Sequence, residues 1–507
     1  MNESTQRKTG AILSYVSIIA NTIIQLLYTP FLIRMLGQSE YGMYSIINSI
    51  IGSLAVLDLG FGNAIIVYTA KYRAKKDTES EEKLHGMFQR VFFIISLIAI
   101  LLGIILYFLV EPIFGKTMTS FELEKMKVMM LILTFNLGIT FAFSIYSSII
   151  IAYEKFTFQK IVSIVGTLIK PLLMIPLLFL GFKSITMCIV ISLANVLVIS
   201  SNYYYCRRKL NKKIKYKGFD KTLFKTIIGY SIWIFIGTIV DKINWSVDHF
   251  VLGAVSGTVA VSIYSVAGQL NNLFIQLSTA VSGVLLPKVS KMVATNQSDK
   301  KLTEEFIKVG RIQYLIILLM ASGLVLVGKE FFNVWVGPEY KDSYYIALLL
   351  ILPVCIPLIQ NLGISIMQAK NMHRFRSILY AVIAVANIGI SIPLSIRYGG
   401  IGAAIGTALS LIIGNGIIIN IYYYKKVKLN VIDFWKEIIK MTIPQSISIV
   451  IIIILMNFIK IHGIPYLLLF GGIYTILYSL ICYFITMNDY EKQIIIKVLK
   501  RLHFKKV

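Results

Sequence analysis

Four charged residues sit where this sequence has least room for charge. Asp58, Lys170, Asp241 and Lys242 each lie inside a long apolar stretch, and Asp248 and Arg34 lie nearer the ends of such stretches. A charge at membrane depth costs about 2.5–3.5 kcal/mol on insertion scales, so it normally faces a cavity or a partner. Two chemistries suit these types. A lysine ammonium meets a phosphate as a flexible point charge, which makes Lys170 a candidate for a phosphate contact. Lys170, just before Pro171, has a second reading as an ion-pair partner of Asp58 or Asp241. A desolvated carboxylate holds its proton more tightly, so Asp58, Asp241 and Asp248 are candidates for Na+ or H+ coupling or for gating pairs. The plainer reading is that they tie one helix to another. Arg34 reads as an interfacial anchor.

Uncharged polar residues form rows around these charges. Ser265, Gln269, Asn272, Gln276 and Thr279 follow steps of four and three and share one helical face, as do Thr238, Asp241, Trp245 and Asp248. A shift of 220 places Asn21, Gln25 and Tyr28 opposite Asp241, Trp245 and Asp248. Such faces are unstable against lipid and must line a shared cavity or bond across helices. Asn21, Gln25, Trp245, Gln269, Asn272 and Gln276 are therefore candidates for lining that cavity.

The elements that carry these residues are apolar runs of roughly 18–25 residues, about fourteen in all, each long enough to cross a ~30 Å hydrocarbon core as a helix. The chain repeats itself. Gly37 to Ile46 falls on Gly257 to Val266 at an offset of 220, and Ile175-Pro176-Leu177 falls on Ile392-Pro393-Leu394 at 217. At 217, Ala152 to Phe158 also falls on Ala369 to Phe375, and Lys170 on Asn387. Duplicated helical halves are the sequence sign of a transporter with its site between the repeats. The expected division is a six-helix lobe over 1–206, a basic linker over 207–225 and a second six-helix lobe over 226–430. Two added helices over 431–488 and an amphipathic tail over 489–507 complete it.

Composition supports the membrane reading. Of 507 residues, 57% are hydrophobic and 15% charged, and mean hydropathy is +0.77. The net charge of +26 invites a nucleic-acid reading, but most Lys and Arg cluster at both termini and in alternate loops. That is the positive-inside pattern and puts both ends in the cytoplasm. The densest cluster, 207–225, reads as a cytosolic linker drawn to anionic lipid headgroups, with no nucleic-acid partner. The apolar run from Ala11 is too long for a signal peptide and reads as the first span. The four cysteines form no C-x-x-C pair, and the five histidines are scattered, so neither a disulfide nor a metal site is expected. Gly115-Lys116-Thr117 ends like a phosphate loop but lacks the leading glycine, since Val110 holds that position. Gly402-x-x-x-Gly406 opens an apolar span and reads as a helix-packing face.

Short motifs in a fixed order carry a family resemblance. They are Arg34-Met35-Leu36-Gly37 with Glu40-Tyr41-Gly42, Leu57-Asp58-Leu59-Gly60-Phe61-Gly62-Asn63-Ala64, Asp248 with Val251-Leu252-Gly253, and Ile263-Tyr264-Ser265-Val266-Ala267. Further on come Leu286-Pro287-Lys288-Val289-Ser290, Trp335-Val336-Gly337-Pro338-Glu339-Tyr340, Met367-Gln368-Ala369 and Tyr398-Gly399-Gly400-Ile401-Gly402-Ala403-Ala404. Over spans one to twelve the chain resembles the Wzx-type oligosaccharide flippases. These are the polysaccharide-biosynthesis branch of the multidrug/oligosaccharidyl-lipid/polysaccharide exporter superfamily.

The resemblance implies an all-α integral membrane protein with two pseudo-symmetric six-helix lobes in a V-shaped bundle plus two C-terminal helices. It implies alternating access for an undecaprenyl-diphosphate-linked oligosaccharide in a bacterial plasma membrane, for capsule or exopolysaccharide synthesis. No bond is made, and no cofactor is expected beyond a coupling ion. The expected partners are the lipid-linked oligosaccharide, membrane lipids and the polymerase and glycosyltransferases of the pathway. Family cavities often carry several Arg and Lys that meet the diphosphate, whereas this chain has only Lys170 and Lys242 at depth. The resemblance makes these two the candidates for diphosphate contact and Asn21, Gln25, Trp245, Gln269, Asn272 and Gln276 the candidates for sugar contact. A cation-coupled multidrug antiporter and a lipid II flippase are the rivals within the superfamily. A membrane glycosyltransferase would need paired carboxylates at a membrane face, and the sequence shows none.

Overall fold

The computed structural model describes residues 3–503 except 213, 215, 217, 284, 285, 371, 460 and 461, and only part of the side chains in 3–15, 230–245, 277–290, 373–374 and 497–503. The described chain is helical throughout. Its elements begin with α1 (Glu3–Leu36), α2 (Gln38–Leu54), α3 (Phe61–Ala74), α4 (Thr78–Phe114), α5 (Ser120–Ala152), α6 (Phe156–Phe179) and α7 (Ser184–Arg208). The long α8 (Lys221–Gly283) follows, then α9 (Leu286–Ala294), α10 (Asp299–Trp335), α11 (Lys341–Ile359) and α12 (Asn361–Ala369). The chain ends with α13 (His373–Leu411), α14 (Ile419–Tyr422), α15 (Val431–Phe458), α16 (Ile464–Ile481) and α17 (Asp489–His503). Wider π-helical turns occupy Ile412–Ile418, Tyr423–Val427 and Cys482–Thr486.

Twelve helices among the described residues are long and apolar enough to cross a bilayer. Two of them are bent pairs, α8 at Gly257 and α13 at Gly399, which accounts for the difference from the fourteen stretches expected. The first bend shows the repeat in the backbone. Gly37, between α1 and α2, has φ 83° and ψ 168°, and Gly257, 220 residues on, has φ 81° and ψ −177°. Only glycine adopts that conformation without strain.

By contact the chain forms two compact units. The first is Met1–Ser265 with Ile392–Gly400, and the second is Val266–Ser391 with Ile401–Val507. Residues 226–265 thus group with the first unit, not with the second lobe of the sequence division. Close backbone approaches hold them there. Ser49 Oγ donates to the Ser246 carbonyl (2.9 Å) and Thr117 Oγ1 to the Gly253 carbonyl (2.7 Å). Gly42 packs so tightly on Thr258 that a Cβ would sit 2.0 Å from its carbonyl oxygen.

In lipid the hydrophobic effect does not drive helices together, so small residues and interhelical hydrogen bonds must hold each unit. In the first unit α4 packs along α5, α5 along α7, and α1 along α6. Gly103 faces Thr134 and Gly138 faces Ile100, while Ser96 Oγ donates to the Gly138 carbonyl (2.8 Å) and Gln89 to that of Ala142 (2.6 Å). The buried Glu40 of the Glu40-Tyr41-Gly42 motif accepts from Ser184 Oγ and pairs with Lys125, fixing the start of α7.

In the second unit α10 packs on α11, α15 and α16. Arg311 ties α17 to this bundle through Glu491 (2.7 and 3.0 Å), and it also meets Glu437 (2.8 Å) and the Thr486 carbonyl (3.1 Å). The basic linker is tied to the first unit as well. Lys212 pairs with Glu81 (3.1 Å), which also accepts from Tyr153 Oη (2.6 Å). Burial disfavours the Lys212 ammonium, but its bonds to Tyr153 and Glu81 outweigh that and raise its pKa.

Candidate functional site

A row on α6 builds the site. Gln159, Ser163, Thr167 and Lys170 follow steps of four, four and three, so they lie on one face. The row spans eleven residues, about 16 Å of helix rise, or roughly half the hydrocarbon thickness. Across from it stand Asn195 and Asn202 of α7 and Ser147 of α5, and together they enclose a cavity of about 320 Å³. Gly166 lets α6 approach α7, since a Cβ there would meet Val198 at 2.6 Å.

Two of the lining polar side chains are already bonded. Asn195 donates to Asn136 Oδ1 (2.8 Å) and Thr140 Oγ1 (2.7 Å) on α5, and Thr167 Oγ1 to the Ser163 carbonyl (3.0 Å). Two others stand open to a ligand. Asn202 is 9% exposed and its Oδ1 accepts no hydrogen bond. Lys170 is open to the cavity, and no carboxylate among the described residues pairs with it. The cavity thus offers one cation and a set of hydroxyls and carboxamides, the inventory for holding a phosphate next to hydroxyl-bearing groups. Among the described residues no three His, Cys, Asp or Glu side chains gather to hold a metal.

The other predicted residues go elsewhere. Asp58 ends a short 3-10 turn between α2 and α3, with its carboxylate beside Gly62. It sits at the entry to α3, at a break made by left-handed Leu59 and Gly60 (φ 54° and 70°). It does not line the cavity, nor does it pair with Lys170. Lys242 lies against α2, its Nζ 3.8 Å from where a Cβ on Gly52 would be, so the two candidate lysines are not brought together. Asp248 is 3% exposed and accepts from Tyr264 Oη, joining the two rods of α8 across the Gly257 bend.

Asn21 and Gln25 are half-buried on α1, the helix that packs along α6. In the α8 row, Ser265 bonds back to the Val261 carbonyl (2.7 Å), Gln269 is half-buried, and Asn272 and Gln276 are exposed. The side chains of Thr238, Asp241, Trp245 and Thr279 lie outside the described residues. Sequence reasoning found Lys170 but missed Gln159, Ser163, Thr167, Asn195 and Asn202. The signal was there, because the α6 row obeys the same spacing rule as the α8 row.

The second unit contains the counterpart of this cavity. At the offset of 217, Ser147, Gln159, Ser163, Val198 and Asn202 fall on Ile364, Arg376, Tyr380, Asn415 and Ile419. All five line one cavity, of about 10 Å³. The equivalence is structural too. Phe158 stacks on Tyr205 with centroids 3.8 Å apart, and Phe375 on Tyr422, at the same offset, with centroids 3.9 Å apart.

Fold and composition define a multi-pass membrane protein of transporter architecture. The structure is similar to a lipid II flippase, MurJ, in an inward closed conformation, with TM-score 0.71 and 19% identity over 93% of this chain and 97% of that one. It is also similar to an inward-facing multidrug resistance MATE family transporter of the MOP superfamily, with TM-score 0.62 and 14% identity over 81% of this chain and 99% of that one. A protein named "Putative O-antigen transporter" from Shigella flexneri is 21% identical over 402 residues, 77% of this chain and 92% of the relative. The family described as polysaccharide biosynthesis protein matches residues 8–293, more than half of the chain, and the chain belongs to that family. The resemblance read from the motifs is borne out.

Proposed function

We propose that this protein is a flippase. It moves a polyprenyl-diphosphate-linked oligosaccharide, in the undecaprenyl form the resemblance implies, across a bacterial plasma membrane by alternating access. The repeat unit then serves capsule or exopolysaccharide synthesis. Membership of the polysaccharide biosynthesis family and similarity to a named O-antigen transporter support the cargo class. The observation that carries the reading is Lys170, a cation at mid-depth with no carboxylate partner among the described residues, facing a cavity lined with hydroxyls and carboxamides. Its cost in lipid is recovered when a phosphate arrives. The distribution of Lys and Arg supports cytoplasmic termini. Polymerase and glycosyltransferases are the expected neighbours in the membrane. No cofactor is needed, and a Na+ or H+ gradient is the proposed energy source.

The test is translocation of a fluorescent polyprenyl-diphosphate oligosaccharide in proteoliposomes, with and without ion gradients, for wild type and Lys170→Ala. Movement by wild type that the substitution abolishes is the expected result. Ion-driven dye efflux with no lipid movement would replace this reading with the antiporter.

A further inference from the structure

The closed counterpart in the second unit is built as a site. Tyr380 stands where the open cavity has Ser163, and its Oη donates to Asn415 Oδ1 at 2.6 Å. The Arg376 guanidinium lies over the Tyr380 ring, 4.6 Å from its centroid. Asn415 is 3% exposed, and its Nδ2 has no acceptor. It lies on the π-helical turn Ile412–Ile418, a wider winding often found at functional sites. A phenol ring therefore fills the space between a guanidinium and a carboxamide donor that lacks a partner.

We propose that this is a second, latent anion site, which takes a phosphate or diphosphate headgroup when Tyr380 swings out. Arg376 would bind through its planar fork, which matches phosphate oxygens two at a time, and Asn415 Nδ2 would donate beside it. Lys170 plays the cationic part in the first unit from a different position on its helix, so the two copies have kept the pocket and exchanged the cation. The inference rests on reading the Lys170 cavity as a phosphate site.

The experiment uses the purified full chain in detergent and two labelled probes, farnesyl diphosphate and inorganic pyrophosphate. Wild type should bind farnesyl diphosphate, and Lys170→Ala should lose at least tenfold in affinity. Adding Tyr380→Ser to Lys170→Ala should restore binding of one probe per chain, and adding Arg376→Ala should remove it again. Tyr380→Phe keeps the ring but breaks the bond to Asn415, so in the Lys170→Ala background it should raise binding several-fold. Restoration seen with both probes would make the site one for phosphate alone, and with farnesyl diphosphate only, one for a lipid-borne headgroup.

The proposal is overturned if Tyr380→Ser and Tyr380→Phe both add nothing while keeping the wild-type thermal transition. It is overturned equally if the restored binding survives Arg376→Ala. Wild type without Lys170-dependent binding would sink the first-unit reading alone, because an Arg376-dependent gain from Tyr380→Ser would still establish the second site.

Discussion

The pair α6 and α7 and the segments 373–391 and 401–422 descend from one repeated pattern, yet one pair encloses about 320 Å³ and the other about 10 Å³. Two differences account for it. In the second unit glycines bring the rods together at two levels. A Cβ on Gly406 would lie 2.2 Å from Ser391 Oγ, and one on Gly414 2.0 Å from Ile383 Cδ1. In the first, Ile189 and Leu197 hold those two positions at the offset of 217, and the close approach is made by Gly166, to Val198. The lining also differs, with Ser163 against Tyr380 and Ser147 against Ile364.

The polar groups at depth follow the same contrast. Asn387, the counterpart of Lys170, is 4% exposed and satisfied within its unit, accepting from Ser391 (2.9 Å) and donating to Thr407 (3.3 Å). Lys170 has no such partner among the described residues. A buried network that is complete holds helices together, whereas a lone charge in a roomy cavity is kept at a cost and indicates a ligand.

The most direct way to break the comparison is to install the plug. Ser163→Tyr puts the second unit's phenol into the first unit's cavity, and translocation in proteoliposomes should fall to the empty-vesicle rate. Retained movement would mean that the cavity is not on the path. Next in size is Lys170→Ala. One hydrogen bond to a charged group contributes roughly 1.5–3 kcal/mol, so headgroup affinity should fall about 10- to 150-fold. Lys170→Arg keeps the charge and should recover part of it, and a neutral Lys170→Ala would return this residue to a structural role.

Packing gives the third contrast. Gly406→Val forces side-chain atoms into Ser391 and should destabilise the detergent-solubilised protein by about 1–3 kcal/mol, the usual cost of overpacking. Gly166→Ala meets only the tip of Val198, which can rotate away, so its thermal transition should move less. Equal shifts would show that the first pair is as tightly packed as the second.

Much of this was legible in the sequence, and what was missed follows a physical pattern. Helix length and apolar runs are local, so the spans came out directly, as did the repeat that pairs Gly37 with Gly257. Lys170 stood out because a charge in an apolar run is conspicuous. Its neighbours on α6 did not, because Ser, Thr and Gln at helical spacing carry little signal without the facing helix. Asp58 misled for a related reason. Its charge was visible, but the two left-handed residues that turn the chain beside it into α3 have no such mark, and one of them is Leu59. Contacts such as Arg311 with Glu491 join residues 180 apart, and no local pattern announces them. The plug was least legible of all, since a Ser-to-Tyr difference at one offset matters only once Tyr380 is seen to reach Asn415.

The smallest expected effect separates the two kinds of polar group most cleanly. Asn202 Oδ1 is buried and accepts nothing, so Asn202→Ala removes a group that already bears its desolvation cost, and stability should stay within about 0.5 kcal/mol of wild type. If the carboxamide serves the ligand, headgroup affinity should drop two- to twelvefold, about 0.5–1.5 kcal/mol for one neutral hydrogen bond. Asn387→Ala should do the reverse. It removes one hydrogen-bond partner from each of Ser391 and Thr407 and should cost about 1–3 kcal/mol of stability while leaving affinity unchanged. Thermal unfolding and headgroup binding on the two variants settle the matter together. If Asn202→Ala unfolds early and binds normally, the first cavity is a packing defect and the contrast between the units has no functional content.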